Sequence, residues 1–215
     1  KLSGFAVEIV NEIQKRVGTN YTIEVVPWAR GYKEAQTTPN VALFSTNRTA
    51  DRDPLFQWVG PLAETSFGFY AKADTKLVVN SMEDAKALES IGVYINDVRD
   101  LYLTKHGFKN LEKITDNSLN YKKVIAGRLS VVAGSTVEIG DEAKKIGASE
   151  KDFKLLYTFL KTQKYIVFSN STPKAVVTSW QGALDAMKKD GSFKTIFTKY
   201  FPKSPLPGPA ETDLP

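Results

Sequence analysis

The sequence predicts an open α/β fold in two parts, on three observations. Short β-forming apolar stretches alternate with helical stretches along most of the chain, the pattern of parallel βαβ units. Past Lys72 the alternation restarts, which points to a second lobe. The 215 residues, 42% of them hydrophobic, are enough for a sizeable buried core.

In order, Phe5, Ile9, Ile13 and Val17 recur every fourth residue and predict a helix that Gly18 closes. Tyr21 to Val26 is rich in β-formers and reads as a strand ended by Pro27. A short helix around Arg30 to Gln36 and an apolar strand Val41 to Phe44 follow, then a polar loop Ser45 to Arg52 in which Thr49 caps the turn carrying Arg52. Phe56 to Val59 and Phe67 to Ala71 read as two extended segments separated by Gly60-Pro61. In the second lobe Ser81 and Asp84 form a capping box, Ile91 to Ile95 is a strand, and Asp97 caps a helix running to His106 and Gly107. Strands near Leu111 to Ile114 and Leu129 to Ala133 alternate with helices from Ser118 to Ala126 and near Glu138 to Ile146. Phe153 to Phe159 and Tyr165 to Phe168 read as two further strands. Two amphipathic helices follow, one behind Thr172-Pro173 and one holding Phe193 to Tyr200, before a proline-rich tail from Pro202 that reads as extended and loose.

Composition narrows the function. The net charge of +5 is spread thinly, with lysine pairs as the longest basic runs, so a nucleic-acid surface is not expected. Cysteine is absent and His106 is the single histidine, which leaves no metal site or nucleophile triad to build, and no cofactor is expected. No apolar run approaches the ~20 residues that span a bilayer, and no signal peptide opens the chain, so a soluble protein is expected, as a mature exported protein would also be.

The stretch Pro27 to Pro61 concentrates the candidate chemistry: Arg30, Arg48 and Arg52 with Trp28 and Trp58. Guanidinium groups and indole rings suit the grip of a small carboxylate-bearing molecule, with Trp28 as an apolar wall and Arg30 and Arg48 adding positive charge that favours an anionic solute or one with more than one carboxylate. The alternative is that Glu34, Asp51 and Asp53 pair these arginines on a solvated surface.

Taken together, GFAVEIVNEI, TADRDPLFQWVGPL, IGVYINDVRDLYLTKHGF, the GRLSVV strand and WQGALDAMKKDGSFKTIFTKYF resemble the family 3 extracellular solute-binding proteins, periplasmic receptors of uptake transporters. The resemblance covers nearly the whole chain and is that of a divergent branch. It implies a type II periplasmic-binding-protein clamshell of two α/β lobes joined by two strands. One lobe is residues 1–72 plus 169–215 and the other 73–168, with the ligand in the cleft between them. In that family the Arg of the Thr-x-x-Arg turn, here Arg52, holds the ligand's carboxylate, and Ser45, Thr46 and Asn47 complete the site. The turn before the Asp97 helix, with Arg99 beside it, falls where relatives offer helix amides; an acidic cap there disfavours a second anion but can receive an ammonium, and Asp97 also reads simply as an N-cap.

Two departures from the family pattern follow. Where amino-acid receptors place an acidic residue for the ligand's ammonium, this chain has Ala133-Gly134-Ser135-Thr136, which argues against an ordinary α-amino acid. The chain also begins at Lys1, directly before the first helix, so the first N-terminal strand is expected to be lacking. The expected protein is a monomer that binds a small polar or anionic solute and presents it to a membrane ABC transporter permease from the periplasm or cell exterior. The rivals are a sensor domain of the same architecture and an enzyme on that scaffold. Against an enzyme, the chain carries no G-x-S-x-G, H-E-x-x-H, phosphate loop or dinucleotide fingerprint.

Overall fold

The computed structural model describes residues 2–202 and 204–215. Lys1, which opens the first expected lobe, and Lys203 in the tail lie outside the described residues. The chain forms two compact units, Lys1–Glu64 with Thr162–Pro215, and Thr65–Lys161. It passes from one to the other inside two long strands, β2 (Phe56–Lys72) and β6 (Phe153–Ser169). The sequence reading drew these crossings at residues 72/73 and 168/169.

In the first unit, α1 (Phe5–Val17) turns Ile9, Val10 and Ile13 into the core and ends on Gly18, whose φ of 76° is the left-handed conformation that glycine adopts without Cβ strain. It packs on α7 (Lys174–Asp190) and α8 (Ser192–Tyr200), and Trp180, Leu184, Met187, Phe193 and Phe197 complete the cluster. Phe5 meets Phe193, Phe197 and Phe201 edge-on at 5.2–6.1 Å. Each such side chain contributes on the order of 1.5–3 kcal/mol on full burial.

The segment Tyr21 to Val26 is not a strand. β-propensity is realised only against a partner, and this stretch has no ladder partner among the described residues. Instead the buried Gln14 amide reads its backbone, accepting from the Tyr21 N–H at 2.5 Å and donating to the Tyr21 carbonyl at 3.2 Å. Tyr21 and Val25 are exposed, while Ile23 packs partly against the core.

Helix α2 (Trp28–Thr37) starts behind Pro27, and β1 (Ala42–Asn47) runs antiparallel to β6 with Ala42 opposite Phe168 and Asn47 opposite Lys164. Ser45 to Asn47, expected in a loop, continue this strand past a bulge between Phe44 and Thr46. At the bulge Ser45 takes φ 67°, a conformation that costs a non-glycine residue of order 1–3 kcal/mol and tends to mark functional positions.

The two pairs of expected extended segments, around Gly60-Pro61 and around residues 160–164, are each one continuous 17-residue strand. Neither Gly60 nor the polar run Lys161 to Lys164 ends its strand: the Gly60 N–H donates to Gln181 Oε1 at 2.9 Å and its carbonyl accepts from Gln181 Nε2 at 3.1 Å, and Thr162 and Gln163 are buried with partners inside the first unit.

The second unit builds outward from β2 in the order β5 (Val131–Ser135), β3 (Ile91–Tyr94), β4 (Leu111–Ile114). β5 is antiparallel to β2 with Phe67 opposite Ser135, and β3 is parallel to both β4 and β5. Helices α3 (Met82–Lys86), α4 (Val98–Lys105), α5 (Asn117–Ile125) and α6 (Ile139–Lys145) cover the faces. Ser81 accepts from the Asp84 N–H as expected, but the Asp84 carboxylate reaches the N–H of Asn80, and α3 stops before Leu88. Within the tail, expected to be loose, the backbone of Gly208, Pro209, Glu211 and Pro215 is hydrogen-bonded to Glu64, Gln163 and Ala50.

Candidate functional site

The first unit gathers its candidate residues where α2, β1 and the turn after it meet. Trp28 and Tyr32, one helical turn apart on α2, stand 5.4 Å from each other, and the Arg52 guanidinium lies over both rings at 5.4 and 5.2 Å. Arg52 is only 4% exposed and donates from Nη1 to the Asn47 carbonyl at 3.3 Å. The turn that presents it closes through the backbone: the N–H groups of Arg52 and Asp53 donate to the Thr49 carbonyl at 3.0 and 2.8 Å. Beside it, Thr46 Oγ1 and Asn47 Oδ1 are buried with no hydrogen-bond partner among the described residues. Such atoms cost about 1–3 kcal/mol each when left unpaired, and two of them at the end of β1, next to the carbonyl that Arg52 holds, mark a place that a polar molecule would stabilise. Burial pushes the Tyr32 phenol up, with the Arg52 charge acting against it.

The other two arginines are placed differently. Arg48 pairs with Asp53 at 2.6 Å and rests on Trp58 and Tyr165 at 5.4 Å each, its carbonyl accepting from Thr162 Oγ1 at 2.6 Å. Arg30 is exposed and pairs with Glu34 at 2.8 Å. Ser45 sits at the bulge. Trp28, Tyr32, Asn47 and Arg52 thus come together, Thr46 precedes Asn47 in β1, Arg48 follows it in the chain, and Arg30 stands on the surface. Sequence reading missed Tyr32 and Tyr165. Tyr32 was findable, since it follows Trp28 by four residues on one helix face; Tyr165 reaches Arg48 only through tertiary packing.

In the second unit Asp97 caps α4, accepting from the N–H of Arg99 at 2.8 Å and of Asp100 at 3.4 Å. The helix amides are therefore taken by the chain's own carboxylate. The same Asp97 binds the Arg99 side chain at 2.5 Å, with Glu138 at 3.3 Å on its other side and Phe67 beneath at 5.5 Å. Burial acts to lower the Arg99 pKa, but Asp97 and Glu138 outweigh it and raise it. Ser135, fully buried, accepts from the Val137 N–H at 3.4 Å, and its carbonyl accepts from Glu138 N–H at 3.1 Å. Burial pushes the Tyr121 phenol well up, and its hydroxyl has no hydrogen-bond partner among the described residues. Glu138 was missed as Arg99's second carboxylate; nothing in the sequence links residues 39 positions apart.

A depression of about 640 Å³ elsewhere in this unit, lined by Lys72, Asp74, Glu112 and Arg128 among others, contains none of these residues. Three of its charges are already paired, Lys72 with Asp74 at 3.2 Å within the lining and Glu112 with Lys123 outside it at 2.8 Å. No group of three or more His, Cys, Asp and Glu that could hold a metal occurs among the described residues, and none of their helices is long and apolar enough to cross a membrane.

The chain is 22% identical over 206 residues to a probable histidine-binding protein of Neisseria gonorrhoeae, covering 94% of this chain and 76% of the relative. In fold it is similar to the arginine-, lysine-, histidine-binding protein ArtJ from Geobacillus stearothermophilus, with TM-score 0.80, 17% identity, and 95% and 88% of the two chains covered. It is also similar to a histidine kinase sensor domain that resembles periplasmic binding proteins, with TM-score 0.83, 13% identity, and 92% and 86% covered. The model of the bacterial extracellular solute-binding proteins, family 3, matches residues 1–203, and the chain belongs to that family, whose members bind solutes and are not enzymes.

Proposed function

We propose that this protein binds a small carboxylate-bearing, amino-acid-like solute, in the cleft that the family resemblance implies, and presents it to a membrane ABC transporter after export to the periplasm or cell exterior. The observation that carries the reading is the buried Arg52 on the Trp28 and Tyr32 rings, beside Thr46 Oγ1 and Asn47 Oδ1. A guanidinium fixed on aromatic faces is already oriented, so little side-chain entropy is lost when it takes a carboxylate. Trp28 and Tyr32 give the apolar stem of such a solute a wall. The names of the relatives support an amino acid, histidine in one case and arginine, lysine or histidine in another.

In the second unit, Asp97 holds the helix amides and neutralises Arg99 together with Glu138. That arrangement supports a solute with one carboxylate recognised through Arg52 and a far end that is not a second anion. A second reading, a sensor domain, is favoured by the fold likeness to the histidine kinase sensor domain. Isothermal titration of arginine, histidine, lysine, glutamine and glutamate tests the main reading. At least one should bind, and Arg52→Ala should weaken it roughly ten- to a hundredfold, the loss of a charge-assisted contact of about 1.5–3 kcal/mol. Unchanged affinity in Arg52→Ala would remove Arg52 from the site. Transport of that solute in cells carrying the cognate permease, against kinase output, separates the two readings.

A further inference from the structure

The family model stops at residue 203, and the segment after it is bound by backbone to three separate parts of the first unit. The Glu64 carboxylate accepts from the Gly208 N–H at 3.1 Å. The side chain of Gln163, only 3% exposed, reads two residues of the tail at once: Nε2 donates to the Pro209 carbonyl at 2.9 Å and Oε1 accepts from the Glu211 N–H at 3.1 Å. The Ala50 N–H donates to the Pro215 carbonyl at 3.0 Å.

These anchors are not a random surface contact. An extended segment has its N–H and C=O groups free, and a primary amide that meets an acceptor and a donor two residues apart imitates a neighbouring strand. Prolines 205, 207 and 209 hold the segment extended, which lowers the entropy lost on docking. Gln163 also accepts from Tyr165 Oη at 2.9 Å, and the Tyr165 ring carries Arg48. Ala50 lies two residues before Arg52, in the turn that presents it.

We propose that the segment 205–215 is an intramolecular occupant of the Ala50–Arg52 turn that competes with the solute, so that the docked tail holds the receptor at reduced affinity. The competition rests on the reading of Arg52 as a ligand contact; the docking does not. By linkage, whatever affinity the tail takes from the solute, the solute takes from the tail.

The test uses the full chain, a chain shortened to end at Ser204, and Glu211→Pro, which removes the N–H that Gln163 accepts without touching the packed core. In the full chain the Ala50 amide exchanges with deuterium at least about tenfold more slowly than in the shortened chain, with Glu211→Pro between them. A synthetic peptide of residues 204–215 added to the shortened chain restores the protection. For whichever of the five amino acids binds, the shortened chain binds it several-fold more tightly, and the peptide reverses the gain. Equal Ala50 exchange in all three chains overturns the docking. Restored protection with equal or weaker solute affinity in the shortened chain overturns the competition. If none of the five amino acids binds either chain, the proposed function fails while the exchange result still decides the docking.

Discussion

Each unit buries one arginine at its candidate site, and the two are held in opposite ways. Arg52, 4% exposed, lies on the faces of Trp28 and Tyr32 and donates to a backbone carbonyl. Arg99, 3% exposed, is clasped by the carboxylates of Asp97 and Glu138. Aromatic faces orient a guanidinium with a fraction of the energy of a carboxylate pair, whereas two carboxylates fix it and spend its charge within the chain. The first arrangement is suited to recognition and the second to holding a fold together. Orphaned atoms do not separate the two, since Thr46 Oγ1 and Asn47 Oδ1 in the first unit are matched by Tyr121 Oη in the second; what differs is that the helix amides near Arg99 are already taken by Asp97.

Breaking the second clasp should give the largest effect on stability. Arg99→Leu leaves Asp97, 10% exposed at its side chain, and Glu138 facing each other without their cation, and removing one partner of a buried pair costs about 3–5 kcal/mol. Urea denaturation should show a loss of that order, with Arg52→Leu losing clearly less stability and more solute affinity. If the two variants lose equal stability, the contrast between the units is wrong. Thr46→Val is a smaller and sharper test. It keeps shape and removes a buried hydroxyl that has no partner among the described residues, so stability should hold or rise by up to about 1 kcal/mol while solute affinity falls several-fold. A clear drop in unfolding midpoint would mean that the hydroxyl is already satisfied in the free protein.

The sequence shows the α/β alternation clearly because it is local: α1, α4 and α5 announce themselves by apolar spacing, an Asp at the N-terminus or a closing Gly. Its errors fall where the deciding partner is distant. Tyr21 to Val26 carries every local mark of a strand and lacks a ladder, while Gly60 and the run Lys161 to Lys164 carry the marks of breaks and sit inside two long strands. Within the site, the run Trp28 to Arg52 is visible as composition, but only packing separates Arg52 from Arg30 and Arg48. Arg30 meets Glu34 on the same helix and Arg48 meets Asp53 on the same turn, while Arg52 lies over the Trp28 and Tyr32 rings of α2. The Asp97 cap was legible from its place before a helix, and its bond to Arg99 is local to that helix start, whereas the help of Glu138 depends on how α4 and the start of α6 come together.

A third arginine supplies the exposed end of the same comparison, and the smallest expected effect. Arg16 in α1 binds Asp190 at 2.7 Å and Glu12 at 2.8 Å, much the geometry of the Arg99 pair, but in water. Hydrogen bonds from Ser192 come first, and Arg16 next, in holding the Asp190 carboxyl down at about 2. A carboxylate whose pKa is lowered by folding contributes stability that is present above its ordinary value of 3.8 and is lost as the pH falls through about 2. Asp190→Asn keeps an oxygen for the Ser192 N–H and removes only the charge. Melting temperatures at neutral pH should therefore barely change, since exposed pairs contribute little, while the acid limb between 3.8 and about 2 becomes shallower than in the parent. A neutral-pH loss as large as that of Arg99→Leu would show that burial is not what separates the two pairs.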